Sequence, residues 1–378
     1  MKVMIVVTHL LGTGHLSRAL TLARAFAAAG DEVTVVSGGM PAPQLGAQGV
    51  RLVQLPPLRS DGTNFTRLLN DTGGETNVEL FGQRRQVLLN TLSEVGPDVL
   101  MTELFPFGRR VLSDEFLALL DAAHARPRRP VVLCSIRDIL APPSKPAKAD
   151  RAEAIIARYY DAVLVHSDPR TTPLSVSWPV SDALEARLRY TGYVAPPAAG
   201  PHPARVGEGE IMVSAGGGAV GLPIFHAACQ AAALTPERRW RLLVGGGPQR
   251  LAEIRALAAP DNVIIDPPRP DFRQMLHHAA ALVGMCGYNT ALDLLQAGTP
   301  AVLIPFDDGN EVEQTLRARA LATQPGIEVL RNAELSPERL ARAVARAMAA
   351  PRRDATALAF DGAARSVAIA HQMAGARA

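Results

Sequence analysis

The sequence predicts an α/β protein of two α/β/α domains, residues 1–199 and 200–378. Three observations predict it. Short apolar runs of strand length alternate with helical segments along the whole chain. Glycine-rich turns follow several of the strands directly, as in parallel β-α-β units. A Pro/Gly-dense stretch, 196-PPAAGPHPARVGEGE-210, interrupts the pattern near residue 200, and 378 residues suffice for two full cores.

Composition narrows the class. Hydrophobic residues make up 48% and charged residues 20%, the balance of a globular chain. The formal charge is only +3, and the lysines are Lys2, Lys145 and Lys148 alone. No compact basic run of the nucleic-acid-binding kind appears. Cys134, Cys229 and Cys286 share no metal-ligand spacing, and such a sparse, odd set fits a reducing cytosol. The start of the chain does not read as a signal peptide, because Gly12, His15 and Arg18 break its apolar run. No run of about 18 apolar residues predicts a membrane span.

In chain order, Lys2 to Thr8 reads as a strand. It enters the turn 9-HLLGTGHLSRAL-20, and a helix runs to Ala29 before Gly30. Leu16, Leu20, Ala23 and Ala27 share one face. The turn lacks the G-x-G-x-x-G dinucleotide pattern; Gly12 and Gly14 would let backbone approach a ligand at the carboxyl edge of the sheet. Glu32 to Ser37 and Val50 to Leu55 are the next strands. The polar stretch 56–75 reads as a long loop, and Asn77 to Glu94 as a helix. Asp98 to Met101 is a strand running into 102-TELFPFGRR-110. Glu103 there is a carboxylate at a strand end, a candidate general base. Phe107, Arg109 and Arg110 follow, either on ligand or in solvent. The strand Pro130 to Cys134 ends at Arg137 and Asp138. Then 141-APPSKPAKAD-150 reads as a mobile loop, Arg151 to Tyr160 as a helix and Ala162 to His166 as a strand. Asp168 and Arg170 lie in the turn beyond it, facing acceptor or paired as a salt bridge.

The second half repeats the design. Ile211 to Ser214 is a strand before Gly216, Gly217 and Gly218. Arg241 to Val244 precedes Gly245 and Gly246, and Asn262 to Ile265 is a short strand. Ala281 to Met285 reads as a buried strand, turned by Cys286-Gly287-Tyr288-Asn289-Thr290 into a helix that stops at Gly298. Pro300 opens the strand 301–305, and a further helix begins near Glu311. Residues 336–348 and 354–373 read as alanine-rich helices.

The segment 281–321 resembles the donor-binding segment of two-domain, nucleotide-sugar-dependent glycosyltransferases, the group that includes the peptidoglycan lipid-intermediate N-acetylglucosaminyltransferases. The shared pattern is a glycine turn, an acidic residue five before a Gly-x-Pro, a strand, and a helix start bearing Gln. Asp293, Gly298, Pro300 and Gln314 fit it, with Asp293 where the family usually has glutamate. The sequence Glu-x-Phe-Pro-Phe-Gly-Arg-Arg at 103–110 is similar to a bacterial group of predicted glycosyltransferases.

The resemblance implies two Rossmann-like domains facing across a cleft, the GT-B arrangement, with the last helix packing across the junction. It implies transfer of a sugar from a nucleoside diphosphate sugar, UDP-linked by analogy, to an acceptor hydroxyl or amine. The second domain would bind the donor. Gly216, Gly217, Gly218, Gly245, Gly246, Gly287, Tyr288, Asn289 and Thr290 would approach the diphosphate, Phe272 the base, Asp293 the ribose, and Asp307, Glu313 and Gln314 the sugar. The first domain would bind the acceptor through Gly12, Gly14, Phe107, Arg109, Arg137 and Asp168, with His15 or Glu103 as base. Imidazole titrates where a sugar hydroxyl can lose a proton at neutral pH. No metal and no cofactor are implied. Partners would be the nucleotide sugar and an acceptor that is a saccharide, a lipid-linked sugar or a small molecule. The cysteines predict a cytoplasmic location, and Leu10 and Leu11 beside the glycine turn leave a peripheral contact at the inner membrane face open. A nucleotide-sugar epimerase or hydrolase, or a non-catalytic binder, would use the same diphosphate site.

Overall fold

The computed structural model describes residues 1–10, 13–60, 67–215, 221–257, 259–307, 312–355 and 358–377. By contacts the chain divides into two compact units. The first comprises Met1–Pro169, Pro173–Pro196 and Ala359–Ala378; the second comprises Arg170–Thr172 and Pro197–Leu358.

The first unit runs β1 (Lys2–Val7), α1 (Gly14–Ala28), β2 (Glu32–Gly39), β3 (Arg51–Ser60), β4 (Leu68–Leu69), α2 (Val78–Val95), β5 (Val99–Glu103), α3 (Ser113–His124), β6 (Val131–Arg137), α4 (Pro146–Tyr159), β7 (Ala162–His166), α5 (Asp182–Glu185) and β8 (Leu188–Tyr190). The sheet order is β4-β3-β2-β1-β5-β6-β7-β8, parallel except where β4 pairs antiparallel with β3. Strands β1, β5, β6 and β7 are apolar and almost wholly buried, as expected of parallel strands covered on both faces. Helix α1 lays Leu16, Leu20, Ala23 and Phe26 on one side of the sheet. Leu88 and Leu92 of α2 and Phe116, Leu119 and Leu120 of α3 fill the other.

The second unit runs β9 (Ile211–Ser214), α6 (Leu222–Ala233), β10 (Trp240–Leu243), α7 (Pro248–Arg255), β11 (Val263–Asp266), α8 (Phe272–Met275), β12 (Ala281–Gly284), α9 (Tyr288–Ala297), β13 (Ala301–Leu303), α10 (Glu313–Leu321), β14 (Ile327–Val329) and α11 (Pro337–Ala349). Its sheet is parallel throughout, in the order β11-β10-β9-β12-β13-β14. The last helix, α12 (Gly362–Gly375), belongs by its contacts to the first unit.

Several expectations are corrected. Strand β3 continues through Pro56 and Pro57 to Ser60, where a loop was expected from residue 56. The two prolines fall where the β2–β3 register shifts between Ser37 and Gly39, so the missing N–H groups cost the ladder little. Half of the expected loop at 141–150 is helical, because α4 starts at Pro146, whose fixed φ suits a first turn. Helix α12 starts at Gly362 and not at residue 354. The preceding chain is held extended by Tyr193, whose N–H donates to Ala359 O at 2.8 Å, and by an isolated bridge between Val194 and Asp361.

Candidate functional site

In each sheet the strand order reverses once, and ligand crevices of open α/β sheets lie at that point, beyond the carboxyl ends. In the first unit it falls between β1 and β5. Their register pairs Val6 with Thr102, which sets Glu103 at the last level of β1. The chain leaving β1 enters α1, and His15 is that helix's second residue.

The two residues meet: His15 Nδ1 lies 2.8 Å from Glu103 Oε1. Arg18, one turn along α1, donates through Nη2 to the same oxygen. Side-chain exposure is 14% for His15, 4% for Arg18 and 1% for Glu103. Arginine only donates, so Oε1 receives from both neighbours and the tautomer follows: Nδ1 carries the proton and Nε2 keeps its lone pair. Burial pushes His15 down to about 4, against the pull of Glu103 and with the help of Arg109 and Arg18. Burial also resists ionisation of Glu103, yet its carboxyl is held well below the usual range by His15, Arg18 and Arg109. Because His15 is neutral at pH 7, the two arginines supply the lasting part of that effect. Glu103 Oε2 is buried without a hydrogen-bond partner among the described residues.

The turn after β5 is tight. Leu104 and Arg109 have φ of 67° and 58°, a region that side chains other than glycine seldom occupy. Leu104 N–H donates to Ser135 O at 2.9 Å, and Arg109 Nε donates to Thr8 O at the end of β1 at 2.5 Å. Such over-determined backbone holds the carboxylate in place. Nearby, His166 of β7 is fully buried between Ser135 Oγ (2.8 Å) and Thr191 Oγ1 (2.9 Å), and burial pushes it down to about 3.

In the second unit the reversal falls between β9 and β12. Gly284 ends β12 so close to β9 that a Cβ there would lie 2.6 Å from Ser214 O. Helix α9 then starts at Tyr288 after an extended Gly287, and no side chain caps it. The first N–H groups of a helix have no intrahelical acceptor, and a Cβ on Gly287 just before them would meet nothing within 4 Å. Such a terminus accepts phosphate oxygens. Arg317 of α10 is buried there. It donates to Cys286 O at 3.1 Å, and its guanidinium carbon lies 5.8 Å from the Tyr288 ring centroid.

Asp293 sits one turn further along α9. Its Oδ1 accepts from Arg273 Nε at 2.8 Å, and Arg273 also donates to Gln296 Oε1 and Pro197 O. Burial raises the Asp293 carboxyl and Arg273 partly offsets this. Oδ2 is the oxygen left for a second partner. Gln314 Oε1 accepts from Phe306 N at 3.2 Å, tying α10 to the chain after β13.

The structure thus brings together His15 with Glu103 in one unit, and Gly287, Tyr288, Asn289, Thr290 and Asp293 in the other. Gly14 is the exposed first residue of α1. Arg137 is half-buried, with Nε on Ile139 O, and Asp168 is buried in the turn after β7. Gly245 and Gly246 lie between β10 and α7, Phe272 begins α8 half-buried, Asp307 lies 4.0 Å from Arg331, and Glu313 begins α10. Gly12, Gly216, Gly217 and Gly218 lie outside the described residues. Phe107 is a correction: only 2% exposed, its ring packs edge-on against Trp178 at 5.1 Å, so it fills core and offers no face to an acceptor. Sequence reasoning missed Arg18 and Arg273. Arg18 carried one signal, its position three residues after His15 on a helix; Arg273 carried none. Among the described residues no three His, Cys, Asp or Glu side chains group to hold a metal ion.

Two parallel-sheet units, each with one reversal of strand order, define an α/β protein with the fold of two-domain glycosyltransferases. Solved structures over nearly the whole chain agree: a glycosyltransferase of kitacinnamycin (TM-score 0.65, 18% identity, 98% of each chain) and MurG of Acinetobacter baumannii (TM-score 0.62, 16% identity, 100% of this chain and 99% of that one). Residues 213–372 match the profile described as glycosyltransferase family 28 C-terminal domain. The chain is 35% identical over 148 residues to the UDP-N-acetylglucosamine--N-acetylmuramyl-(pentapeptide) pyrophosphoryl-undecaprenol N-acetylglucosamine transferase of Brucella anthropi. That match covers 36% of this chain and 38% of the relative, so the chain spans well under half the length of the curated relatives it matches.

Proposed function

We propose that the chain is a glycosyltransferase that moves a sugar from a nucleoside diphosphate sugar to an acceptor hydroxyl or amine. The observation that carries this reading is the coincidence of the family 28 match with the uncapped α9 terminus at the reversal of the second sheet. There the amides of Tyr288, Asn289 and Thr290 bind the diphosphate, and the helix dipole stabilises its charge as it leaves. Asp293 Oδ2 accepts from a ribose hydroxyl while Arg273 fixes Oδ1. The Brucella relatives are named for a UDP-sugar, which favours UDP here.

In the first unit His15 Nε2 takes the proton of the acceptor, and Glu103 holds Nδ1 and balances the imidazolium that forms. A buried, ionised Glu103 is the base's partner and not the base. Acceptor contacts are assigned to Gly14, Arg109 and Arg137, Asp168 being buried as Phe107 is, and no cofactor is called for. Among the described residues no helix is long and apolar enough to cross a membrane. A cytoplasmic enzyme, with its acceptor in solution or at the inner membrane face, fits the relatives' lipid-linked names.

Calorimetry with UDP, then product analysis with UDP-sugars and a panel of saccharide and lipid-linked acceptors, tests the reading. Transfer to an acceptor supports it. Release of free sugar alone would show a hydrolase, and binding without turnover a binding protein.

A further inference from the structure

The His15–Glu103 pair poses a problem that its geometry also answers. A carboxylate buried against an imidazole favours the imidazolium, because each charge is the other's only relief from desolvation. An imidazolium at rest has no lone pair and cannot act as a base. The pair needs something that lets Glu103 stay ionised without drawing a second proton onto His15.

We propose that Arg18 is a positioning residue that, beside burial, holds the His15 titration down, by neutralising Glu103 so that the carboxylate orients the imidazole through Nδ1–H while Nε2 stays free of a proton. The geometry carries this. Arg18 donates to Oε1, the same oxygen that His15 contacts. Its side chain is 4% exposed, so water screens its charge little. It lies three residues from His15 on one helix, close enough for Nη2 to stand 3.4 Å from Nδ1 and repel a second positive charge there. The groups facing His15 are Glu103 from β5, Arg109 from the turn after β5 and Arg18 from α1: one negative charge against two positive. Further out, His9 after β1 and His166 on β7 are both pushed down by burial, and the Cys134 thiol on β6 is pushed up. None of these adds a compensating charge at neutral pH.

The inference rests on the proposed function only in taking Nε2 as the base, and its test does not depend on turnover. Histidine ring signals of 13C-labelled protein are followed by NMR from pH 3 to 9 in the wild type, Arg18→Met, Arg18→Lys and Arg18→Met/Glu103→Gln. Arg18→Met moves the His15 titration up by roughly one to two pH units, the usual effect of a neighbouring charge. Arg18→Lys, which keeps the charge, titrates close to the wild type. The double variant, with neither charge, falls back to the wild-type position or below. The acid limb of kcat/KM, where transfer is measurable, moves with the NMR curve. Coincident titration of Arg18→Met and wild type would overturn the proposal, as would a double variant that stays raised. Should Arg18→Met not fold, the double variant and Arg18→Lys decide. Wild-type protein without transfer activity would sink the transferase reading and leave the NMR result for Arg18 standing.

Discussion

The two sheets reach the same topological point with opposite materials. At the reversal of the first sheet, the candidate site is made of side chains. His15, Glu103 and Arg18 form a buried, charged set whose members come from α1 and β5, 85 to 88 residues apart in sequence. At the reversal of the second, it is made of backbone. Gly284 permits close packing of β12 on β9, Gly287 leaves open space, and an uncapped helix supplies amides. Side chains titrate and can move protons; amides cannot, but their partial charge is the same at every pH. On the proposed function, the first unit would carry acid–base chemistry and the second would hold an anion.

Substitutions can break that division, and the largest effect should come from the base. His15→Gln removes the lone pair on Nε2 and should lower kcat by about 10²- to 10⁴-fold. UDP affinity measured by calorimetry should stay unchanged. Equal loss of UDP binding would mean that the two crevices do not divide the work. Next, Glu103→Gln leaves Arg18 buried without its carboxylate. Removing one partner of a buried pair costs roughly 3 kcal/mol, which urea denaturation would read as a lower midpoint. An unchanged midpoint would show that Glu103 matters only to His15.

In the second unit, two glycines separate packing from binding. Gly284→Ala forces a Cβ against Ser214 O and should cost about 2 kcal/mol of stability. Gly287→Ala points a methyl into open space and should leave the melting temperature nearly unchanged while weakening UDP binding. The reverse outcome would place the anion elsewhere. Asp293→Asn should weaken UDP binding by about tenfold, the value of one hydrogen bond to a charged group. Uridine diphosphate and its 2′,3′-dideoxy analogue should then bind the variant alike; a persistent preference for the ribose hydroxyls would remove Asp293 from that role.

How much of this was legible in the sequence differs between the units for the same reason. The second crevice is local: strand, glycine turn and helix start lie within one stretch around Gly287, so spacing alone exposes it. The first depends on β1 and β5 being neighbours, which no local pattern states. Glu103 was visible as a carboxylate at a strand end and His15 as the histidine after a glycine turn, but as rival bases, because their pairing is a fact of strand order. Arg18 was hidden by its type, since an arginine on a helix ordinarily faces water and this one is buried. Phe107 misled in the opposite way: its place in an aromatic-proline turn after Glu103 suggested a ligand, and Trp178, distant in sequence, claims its ring. Pro56 and Pro57 hid the end of β3 because proline argues against a strand unless a register shift absorbs it.

A pH dependence should distinguish the units too. His15 and His166 titrate near 6.5 in an unfolded chain, but only at about 4 and about 3 in the folded one. Between those values the unfolded state binds more protons, so stability is full above pH 6.5 and is lost as pH falls toward 4. Glu103, depressed in the fold, continues the loss in the same direction below the ordinary carboxylate range. Asp293 carries the opposite sign: its raised carboxyl favours the folded state as pH falls through the range where an unfolded aspartate is still ionised. Each histidine contributes a slope of up to about 1.4 kcal/mol per pH unit. His166→Gln keeps a donor and an acceptor for Ser135 and Thr191 but cannot titrate, so it should flatten the fall in urea midpoint between pH 6.5 and 4. A slope that survives this change intact would mean that His166 takes its proton in the folded state as readily as in the unfolded one.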